Sequence, residues 1–273
     1  MKTGITTDTK TAIIIPSRLG STRLPNKPLA LIHGKTLIEH CYDSAVRTNC
    51  GEVFVATDCE EIAEIITKIG GNAIITPSEL PSGTDRIFHA YNQISKEFDF
   101  VVNLQGDVPN ISPTIIQKTI QTIQKTGCDI STAVMKISKE TAQIPSCVKA
   151  VLAGEGEFRK ALYFSRQPVP HNSETFFEHI GLYVYTAESL KKFTSFSESS
   201  LEKTEKLEQL RALENGMTIH TCIVDSSMKP ISIDTQEDLK RAIELMKKKD
   251  FPSTERYKKL AESLKQNMGR RKV

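Results

Sequence analysis

The sequence predicts an α/β protein with a mostly parallel central sheet, and two observations lead to that prediction. Short apolar runs rich in β-branched residues, at 12–15 and 53–58, are typical of buried strands in a parallel sheet. Amphipathic segments with helical spacing, at 36–46 and 60–69, follow these runs. Strand and helix alternating at this spacing indicate βαβ units.

The remaining elements follow the same rules. Thr36 with Glu39 fits a capping box at the start of the first helix, and Gly70 with Gly71 ends the second. Further strands are expected at 73–75, 100–107, 130–137, 148–152, 161–166, 179–185, 219–224 and 230–233, and further helices after residue 86, at 112–125, at 201–215 and from about residue 235. The strands after Cys147 are short and joined by polar connections, so we interpret 147–225 as a subregion over one face of the sheet.

The composition excludes several classes of protein. The net charge of +3 is too small to indicate nucleic-acid binding. No apolar stretch approaches the ~18 residues of a membrane-spanning helix, and residues 1–11 lack the apolar core of a secretion signal. The cysteines are far apart and form no C-x-x-C pair. We expect a cytoplasmic protein that neither binds nucleic acid nor inserts into membranes, with a flexible N-terminus at 1–11, a single domain at 12–246 and a basic tail at 247–273.

A basic loop follows the first predicted strand. Arg18, Arg23 and Lys27 recur just past the carboxyl end of that strand, which is where open α/β sheets bind ligands. The planar donors of arginine and the mobile charge of lysine both suit a polyphosphate. Pro25 and Pro28 stiffen the loop and reduce the entropy lost on binding. The alternative is a solvated basic loop without a ligand.

This loop also carries a family resemblance. Pro-Ser-Arg-Leu-Gly-Ser-Thr-Arg-Leu-Pro-Asn-Lys-Pro-Leu, at 16–29, closely resembles the signature loop of sugar-acid cytidylyltransferases, specifically the 3-deoxy-manno-octulosonate (Kdo) cytidylyltransferases or CMP-Kdo synthetases. The resemblance spans about residues 12–245 and continues in family order through Ser-Gly-Thr-Asp-Arg, Gln-Gly-Asp, Tyr-Phe-Ser-Arg, His-Ile-Gly-Leu-Tyr, Leu-Glu-Gln-Leu-Arg-Ala-Leu-Glu-Asn-Gly and Ile-Asp. It implies a three-layer Rossmann-like nucleotidyltransferase fold, in which 147–225 is a smaller β-rich subregion for sugar binding and dimerisation.

The resemblance implies a CTP site made of two loops and a strand end. In the family the basic loop holds the triphosphate of CTP, and Ser-Gly-Thr-Asp-Arg is a second nucleotide contact. Judged by residue type alone, Ser82 or Thr84 is more commonly explained as a plain helix cap. The residues expected to bind CTP are Pro16, Ser17, Arg18, Arg23, Lys27, Ser82, Gly83, Arg86 and Gln105.

Two aspartates are predicted to bind Mg²⁺. Asp107 follows the strand 100–106, where a carboxylate is placed to bind a hard cation, and Asp234 follows the apolar segment 230–233. Either residue has a purely structural alternative as a cap, and Thr235 with Asp238 already satisfies a capping pattern. The family usually has a glutamate after Gln-Gly-Asp, whereas this chain has Val108. The resemblance implies Asp107 and Asp234 as metal ligands and, with them, Lys27 and Arg18 as catalytic residues.

The sugar side of the site is implied by the later motifs. A lone arginine such as Arg166 is also explained as a surface residue, and the charges at 201–215 as a solvated helix face. The residues that the resemblance places around the sugar acid are Arg166, His179, Tyr183, Glu208 and Gln209.

The implied reaction joins CMP from CTP to Kdo, releases pyrophosphate and activates Kdo for lipopolysaccharide synthesis. Two alternatives remain open from the sequence. The acceptor is a related acid, such as 8-amino-Kdo or a sialic acid, or the chain is a non-catalytic nucleotide-binding protein of the same fold. The resemblance also implies a homodimer.

Overall fold

A computed structural model describes residues 9–21 and 23–246 of the protein. The predicted basic tail and residues 1–8 of the predicted flexible N-terminus lie outside the described residues. The strands are β1 (Thr11–Ser17), β2 (Leu31–Ile32), β3 (Lys35–Thr36), β4 (Glu52–Thr57), β5 (Asn72–Ile75), β6 (Phe100–Leu104), β7 (Ile130–Ile137), β8 (Lys149–Ala153), β9 (Phe158–Ser165), β10 (Phe176–Thr186) and β11 (Ile219–Val224). The helices are α1 (Leu37–Arg47), α2 (Glu60–Lys68), α3 (Gly83–Tyr91), α4 (Pro113–Thr126), α5 (Lys139–Ala142), α6 (Ala187–Thr194), α7 (Ser200–Glu205), α8 (Gln209–Glu214) and α9 (Gln236–Leu245).

The central sheet is mixed and has the order β5-β4-β1-β6-β10-β7-β11-β9-β8. The four strands β5, β4, β1 and β6 are parallel to one another, as the βαβ pattern predicts. Beyond them, β10 runs antiparallel to both β6 and β7, and β9 runs antiparallel to β11 and β8. In this sheet, β9 and β10 run in one direction, and the other strands run in the opposite direction.

Helices cover both faces of the sheet and give the three predicted layers. Successive residues of β1 point to opposite faces, so Ile13 and Ile15 belong to one apolar cluster and Ala12 and Ile14 to another. The first cluster packs against α1, α2, α4 and α9, and the second against α3, α6 and α8. The α/β fold class is therefore confirmed. Among the described helices, none is long and apolar enough to cross a membrane.

Three expectations about local structure are corrected. The subregion 147–225 does not lie over one face of the sheet, because β8 to β11 extend the same sheet and β10 is inserted between β6 and β7. The expected helix 201–215 is divided into α7 and α8 at Lys206, whose φ is 55°. The expected strand 230–233 is irregular chain, although Ile233 N donates to the carbonyl of Asp107 at 3.0 Å. The division into a domain at 12–246 and a sugar-binding subregion stays a prediction.

Short elements that the sequence pattern did not indicate complete the fold. A turn at 33–34 joins β2 and β3, and both His33 and Gly34 have positive φ there. The helix expected after residue 86 begins earlier, at Gly83, because Ser82 caps it. The helices α5 and α6 were not predicted.

Candidate active site

Two loops at the carboxyl ends of β1 and β6 approach each other closely. A Cβ atom on Gly106 would lie 2.6 Å from the carbonyl oxygen of Pro16, so a side chain at Gly106 would force the loops apart. Gly83 lies on the other side of Pro16, and its Cβ would be 3.5 Å from the Pro16 ring. The start of the basic loop therefore packs between the Ser-Gly-Thr-Asp-Arg and Gln-Gly-Asp segments.

A lysine joins the two aspartates that were predicted to bind metal. The Lys27 Nζ atom donates to Asp107 Oδ2 at 2.9 Å and to Asp234 Oδ1 at 3.0 Å. Arg23 approaches the other oxygen of Asp234 at 3.3 Å, with 65% of its side chain exposed. Residues distant in sequence thus form one cluster of alternating charge, which we call the charged cluster: Arg23, Lys27, Asp107 and Asp234.

The position of Asp234 is fixed by its neighbours and not by a capping role. Thr235 is the N-cap of α9 and forms a capping box with Asp238, as its pattern predicted. The backbone bond from Ile233 to Asp107 holds the preceding segment beside the Gln-Gly-Asp loop. The Asp234 carboxylate is therefore left to bind the cations of the basic loop.

Burial and charge shift the pKa values inside the charged cluster. Burial raises the pKa of Asp107, and the neighbouring Lys27 ammonium only partly offsets this. Burial alone would lower the pKa of Lys27, but the charges and hydrogen bonds of Asp107 and Asp234 outweigh it and raise that pKa. Lys27 is accordingly cationic throughout the neutral range.

The other residues predicted to bind CTP differ in their exposure to solvent. Within the described residues, the exposed Arg18 has no polar partner, and the buried hydroxyl of Ser17 accepts no hydrogen bond and donates none. Arg86 is different, because its side chain is only 2% exposed and donates to Asp58 at 3.1 Å and to Thr76. The Arg86 guanidinium thus ties together the chain ends after β4 and β5 and does not join the charged cluster.

A chain of hydrogen bonds connects the nucleotide side to the predicted sugar side. Gln105 donates to Asn103 at 3.1 Å, Asn103 to Thr84 at 3.3 Å, and Thr84 to Glu208 Oε2 at 2.7 Å. Sequence reasoning missed Asn103 and Thr84 as members of the site. The signal for Asn103 was present, because it is a polar residue inside the otherwise apolar strand β6 and is 1% exposed. Ser82 caps α3 directly beside Thr84.

The strand β10 presents His179 and Tyr183 on either side of an irregularity in its pairing with β7. Their rings lie 5.3 Å apart, and His179 Nε2 is 3.0 Å from the hydroxyl of Thr132. Burial lowers the pKa of His179 to about 4, and burial followed by the nearby Glu208 charge raises the pKa of Tyr183. Both side chains are therefore neutral hydrogen-bonding groups at physiological pH.

Glu208 and Gln209 present buried polar atoms that the protein leaves incomplete. Within the described residues, Glu208 Oε1 and Gln209 Nε2 are buried and have no hydrogen-bond partner. Each such atom costs about 1–3 kcal/mol when nothing completes it. Burial also raises the pKa of Glu208, despite the hydrogen bond that its Oε2 accepts from Thr84. Unsatisfied buried groups of this kind are rare in native proteins and point to a polar ligand.

Arg166 lies apart from these groups. Its guanidinium donates to three backbone carbonyls, those of Glu205 at 2.8 Å, Lys206 at 3.2 Å and Pro145 at 3.3 Å. The structure thus places Arg166 at the turn between α7 and α8, with its donors directed at the backbone.

The three-layer fold and the arrangement of these residues are those of a nucleotidyltransferase. A basic loop lies against two carboxylates, and hydrogen bonds from Gln105 lead to the buried, unpaired polar atoms of Glu208 and Gln209. Residues 12–219 match the cytidylyltransferase family. The 3-deoxy-manno-octulosonate cytidylyltransferase of Rickettsia prowazekii (strain Madrid E) is 48% identical over 87% of this chain and 95% of its own length. The enzyme of that name from Rickettsia rickettsii (strain Sheila Smith) is 47% identical over 85% and 95%.

Solved structures agree with these relatives. A structure of CMP:2-keto-3-deoxy-manno-octonic acid synthetase complexed with CTP has a TM-score of 0.81 and 35% identity, and the match covers 87% of this chain and 98% of that one. Apo UDP-glucose pyrophosphorylase, at 14% identity and a TM-score of 0.64 over 89% of this chain, shares the fold alone. The chain belongs to the cytidylyltransferase family and is a nucleotidyltransferase.

Proposed function

We propose that the protein transfers CMP from CTP to Kdo with release of pyrophosphate, and so activates Kdo for lipopolysaccharide synthesis. The observation that carries this proposal is that the charged cluster and the unpaired polar atoms of Glu208 and Gln209 belong to one connected site. The charged cluster suits a triphosphate, and the hydrogen-bonded chain from Gln105 to Glu208 leads directly to these unpaired atoms. Relatives that share nearly half of this sequence carry the name of that reaction.

The basic loop supplies the charge that a triphosphate requires. Arg18 and Arg23 are exposed and able to turn toward a ligand, whereas Lys27 is held beside the two carboxylates. Phosphoryl transfer depends mainly on positioning and on neutralising the charge that gathers on the leaving pyrophosphate. We assign these three cations to that task.

The two carboxylates fit a Mg²⁺ site. Asp107 and Asp234 converge on one cation, the Lys27 ammonium, with oxygens 2.9 and 3.0 Å from it. The described residues offer no cluster of three or more acidic, histidine or cysteine side chains. Mg²⁺ needs only one or two carboxylates when water and substrate oxygens complete its shell. When bound, such an ion neutralises phosphate oxygens and lowers the pKa of the attacking sugar hydroxyl.

The polar side chains on the predicted sugar side suit the hydroxyl groups of a sugar ligand. Neutral His179 and Tyr183 donate or accept single hydrogen bonds, and Glu208 and Gln209 hold unpaired atoms ready for hydroxyl groups. A site that leaves buried polar groups unpaired discriminates strongly against ligands that cannot complete them.

We further propose that the enzyme is cytoplasmic and acts as a homodimer. All six cysteines are free thiols, which is typical of a reducing compartment. The family resemblance implies the dimer. Sedimentation velocity of the purified protein tests the dimer, and a monomer at micromolar concentration would contradict it.

The experiment that tests the proposed function is a panel of pyrophosphate-release assays with Mg²⁺. The nucleotides are CTP, UTP, ATP and GTP, and the acceptors are Kdo, 8-amino-Kdo and a sialic acid. We expect the highest kcat/KM with CTP and Kdo. A higher value with another acceptor would reassign the sugar acid, and CTP binding without turnover on any acceptor would indicate a non-catalytic protein.

A further inference from the structure

The turn between α7 and α8 places Glu208 and Gln209, and it interrupts the helical course of the backbone at Lys206. Lys206 ends α7 in a left-handed conformation with φ 55°. Lysine has a Cβ atom and adopts this conformation only where the surroundings impose it. We call residues 205–209 the α7–α8 turn.

The end of β9 holds the first half of the α7–α8 turn. The Glu205 carboxylate accepts hydrogen bonds from the Ser165 hydroxyl at 2.7 Å and from the Arg166 backbone at 2.9 Å. The Arg166 side chain donates in return to the carbonyls of Glu205 and Lys206, which a helix C-terminus leaves without partners. The two residues thus fix the last turn of α7 to the sheet.

A buried ion pair holds the second half. Arg211, in α8, donates to both oxygens of Glu202, in α7, at 2.8 and 2.6 Å, and the two side chains are 10% and 8% exposed. The Arg211 guanidinium also lies 5.0 Å above the ring of Phe193 in α6. The pair therefore ties three helices together away from water.

This ion pair requires the helix to be interrupted. In a continuous α-helix with about 100° per residue, residues nine positions apart point in nearly opposite directions. Glu202 and Arg211 are nine positions apart, so they meet only because the chain reverses its helical course at Lys206. Removing the pair takes away the contact that opposes a continuous helix, for which the sequence 201–215 is otherwise suited.

We propose that Glu202 and Arg211, together with Arg166, are positioning residues that keep the α7–α8 turn bent, so that the unpaired atoms of Glu208 and Gln209 face the sugar acid. This inference rests on the proposed function, in which those two residues contact the acceptor. Glu202 and Arg211 are largely buried and are not among the residues proposed to contact CTP or Kdo. They act on acceptor binding through the direction of the chain.

The test compares two variants at this pair with a matched pair elsewhere. Arg211→Met leaves the buried Glu202 without its cation, although the Ser199 backbone N–H still donates to it at 3.1 Å, and lowers the melting temperature. The double variant Glu202→Met/Arg211→Met replaces the pair by apolar groups, loses only that capping bond as well, and folds with a stability close to that of the wild type. We expect both to raise the KM for Kdo about 10-fold or more, because a displaced contact loses its alignment, while the KM for CTP stays within about 2-fold. The control is Lys35→Met/Asp43→Met, which removes a buried pair beneath the other face of the sheet.

The outcomes separate the inference from the proposed function. A stably folded double variant with the wild-type KM for Kdo would overturn the positioning role while leaving the proposed reaction intact. An equal rise in the KM for Kdo in the control variant would mean that the effect comes from a general loss of stability. That result would also overturn the positioning role. Wild-type protein that does not turn over Kdo would overturn both. Selective loss of Kdo affinity in the stable double variant supports the inference.

Discussion

The two halves of the candidate site solve opposite physical problems. The nucleotide half is charged and half-exposed, and its charges already balance one another, with Lys27 between Asp107 and Asp234. The sugar half is buried and neutral at His179, yet it retains atoms on Glu208 and Gln209 that nothing completes. The difference suggests two ways of binding a ligand. On this account the triphosphate binds by replacing existing ion pairs, whereas the hydroxyl-rich acceptor binds to polar atoms that are unpaired before it arrives.

The largest effect is expected from the two aspartates of the nucleotide half. Asp107→Asn and Asp234→Asn should each lower kcat on the order of 10³-fold or more, because each removes a ligand from the ion that neutralises the phosphates. The double variant should be little worse than the worse single variant, since both serve one centre. Rates across a Mg²⁺ titration, together with Mn²⁺ binding followed by electron paramagnetic resonance, check this.

Asp238→Asn is the matched control for Asp234, because Asp238 lies at the same helix start. Asparagine keeps a side-chain oxygen for the Thr235 cap and for the Asp234 backbone N–H, which donates to Asp238 at 3.2 Å. The Asp238→Asn variant should lower stability by about 1 kcal/mol and leave metal dependence unchanged. Strictly additive losses in the double aspartate variant, or unchanged Mn²⁺ affinity in Asp234→Asn, would show that the two carboxylates do not share an ion.

A smaller loss is expected from the basic loop. Arg18→Ala and Lys27→Ala should each lower kcat/KM at limiting CTP by about 10- to 150-fold, the worth of one charge-assisted contact of about 1.5–3 kcal/mol. The two variants should differ in stability, because Lys27 neutralises the partly buried Asp107 whereas Arg18 has no polar partner within the described residues. Lys68→Ala, at the exposed end of α2, is the control. Wild-type kinetics in both loop variants would mean that the basic loop is only a solvated loop and does not bind CTP.

These nucleotide-side expectations came from the sequence for a physical reason. The carboxyl ends of parallel strands meet at one edge, so the basic loop after β1 and Asp107 after β6 had to be neighbours. Asp234 also arrives there, but by a backbone hydrogen bond from irregular chain at Ile233 and not by the expected strand. Strands at 130–137 and 219–224 were predicted with their observed bounds, because alternating or continuous apolar runs end there in polar turns.

The sugar side could not be predicted to the same depth. Residues 201–215 have helical periodicity throughout, and no glycine or asparagine marks the left-handed Lys206. Two interactions accompany the break: hydrogen bonds from Arg166, which is distant in sequence, and the Glu202–Arg211 pair, whose spacing of nine residues matches no helical pattern. The resemblance placed Arg166 on the sugar acid, whereas its observed donors meet backbone carbonyls. The roles of the individual site residues stay predictions.

The contrast between the halves also predicts opposite effects on stability and binding at Glu208. Glu208→Gln removes a carboxylate whose pKa is raised by burial, so at pH 7.5 the free protein should gain about 1 kcal/mol of stability. The same change should raise the KM for Kdo about 10-fold and leave the KM for CTP unchanged. Thermal denaturation and steady-state kinetics measure both. Lower stability with unaltered Kdo kinetics would mean that Glu208 is only a structural residue.

The structure also predicts a pH dependence of stability with opposite signs for groups on the two sides of the sheet. Burial raises the pKa of Asp43, in α1, to about 6, so its contribution to stability falls as the pH rises from about 4 to 6. The pKa of His179 is lowered to about 4, so its contribution rises with pH between about 4 and 6.5. Each shift of about two units corresponds to roughly 3 kcal/mol.

Urea denaturation between pH 4.5 and 7 separates the two contributions. Relative to wild type, Asp43→Asn should lose stability progressively as the pH falls through this window, and His179→Gln should gain it. Burial favours the protonated form of Asp43 and the deprotonated form of His179. Parallel pH profiles of stability for the wild type and both variants would contradict this.

The central claim is that one site joins the two substrates, and analysis of the product tests it most directly. Mass spectrometry of a reaction with CTP, Kdo and Mg²⁺ should find CMP-Kdo in a one-to-one ratio with released pyrophosphate, and neither product when Kdo is omitted. Pyrophosphate release without CMP-Kdo, or no product from protein that binds CTP, would contradict the account.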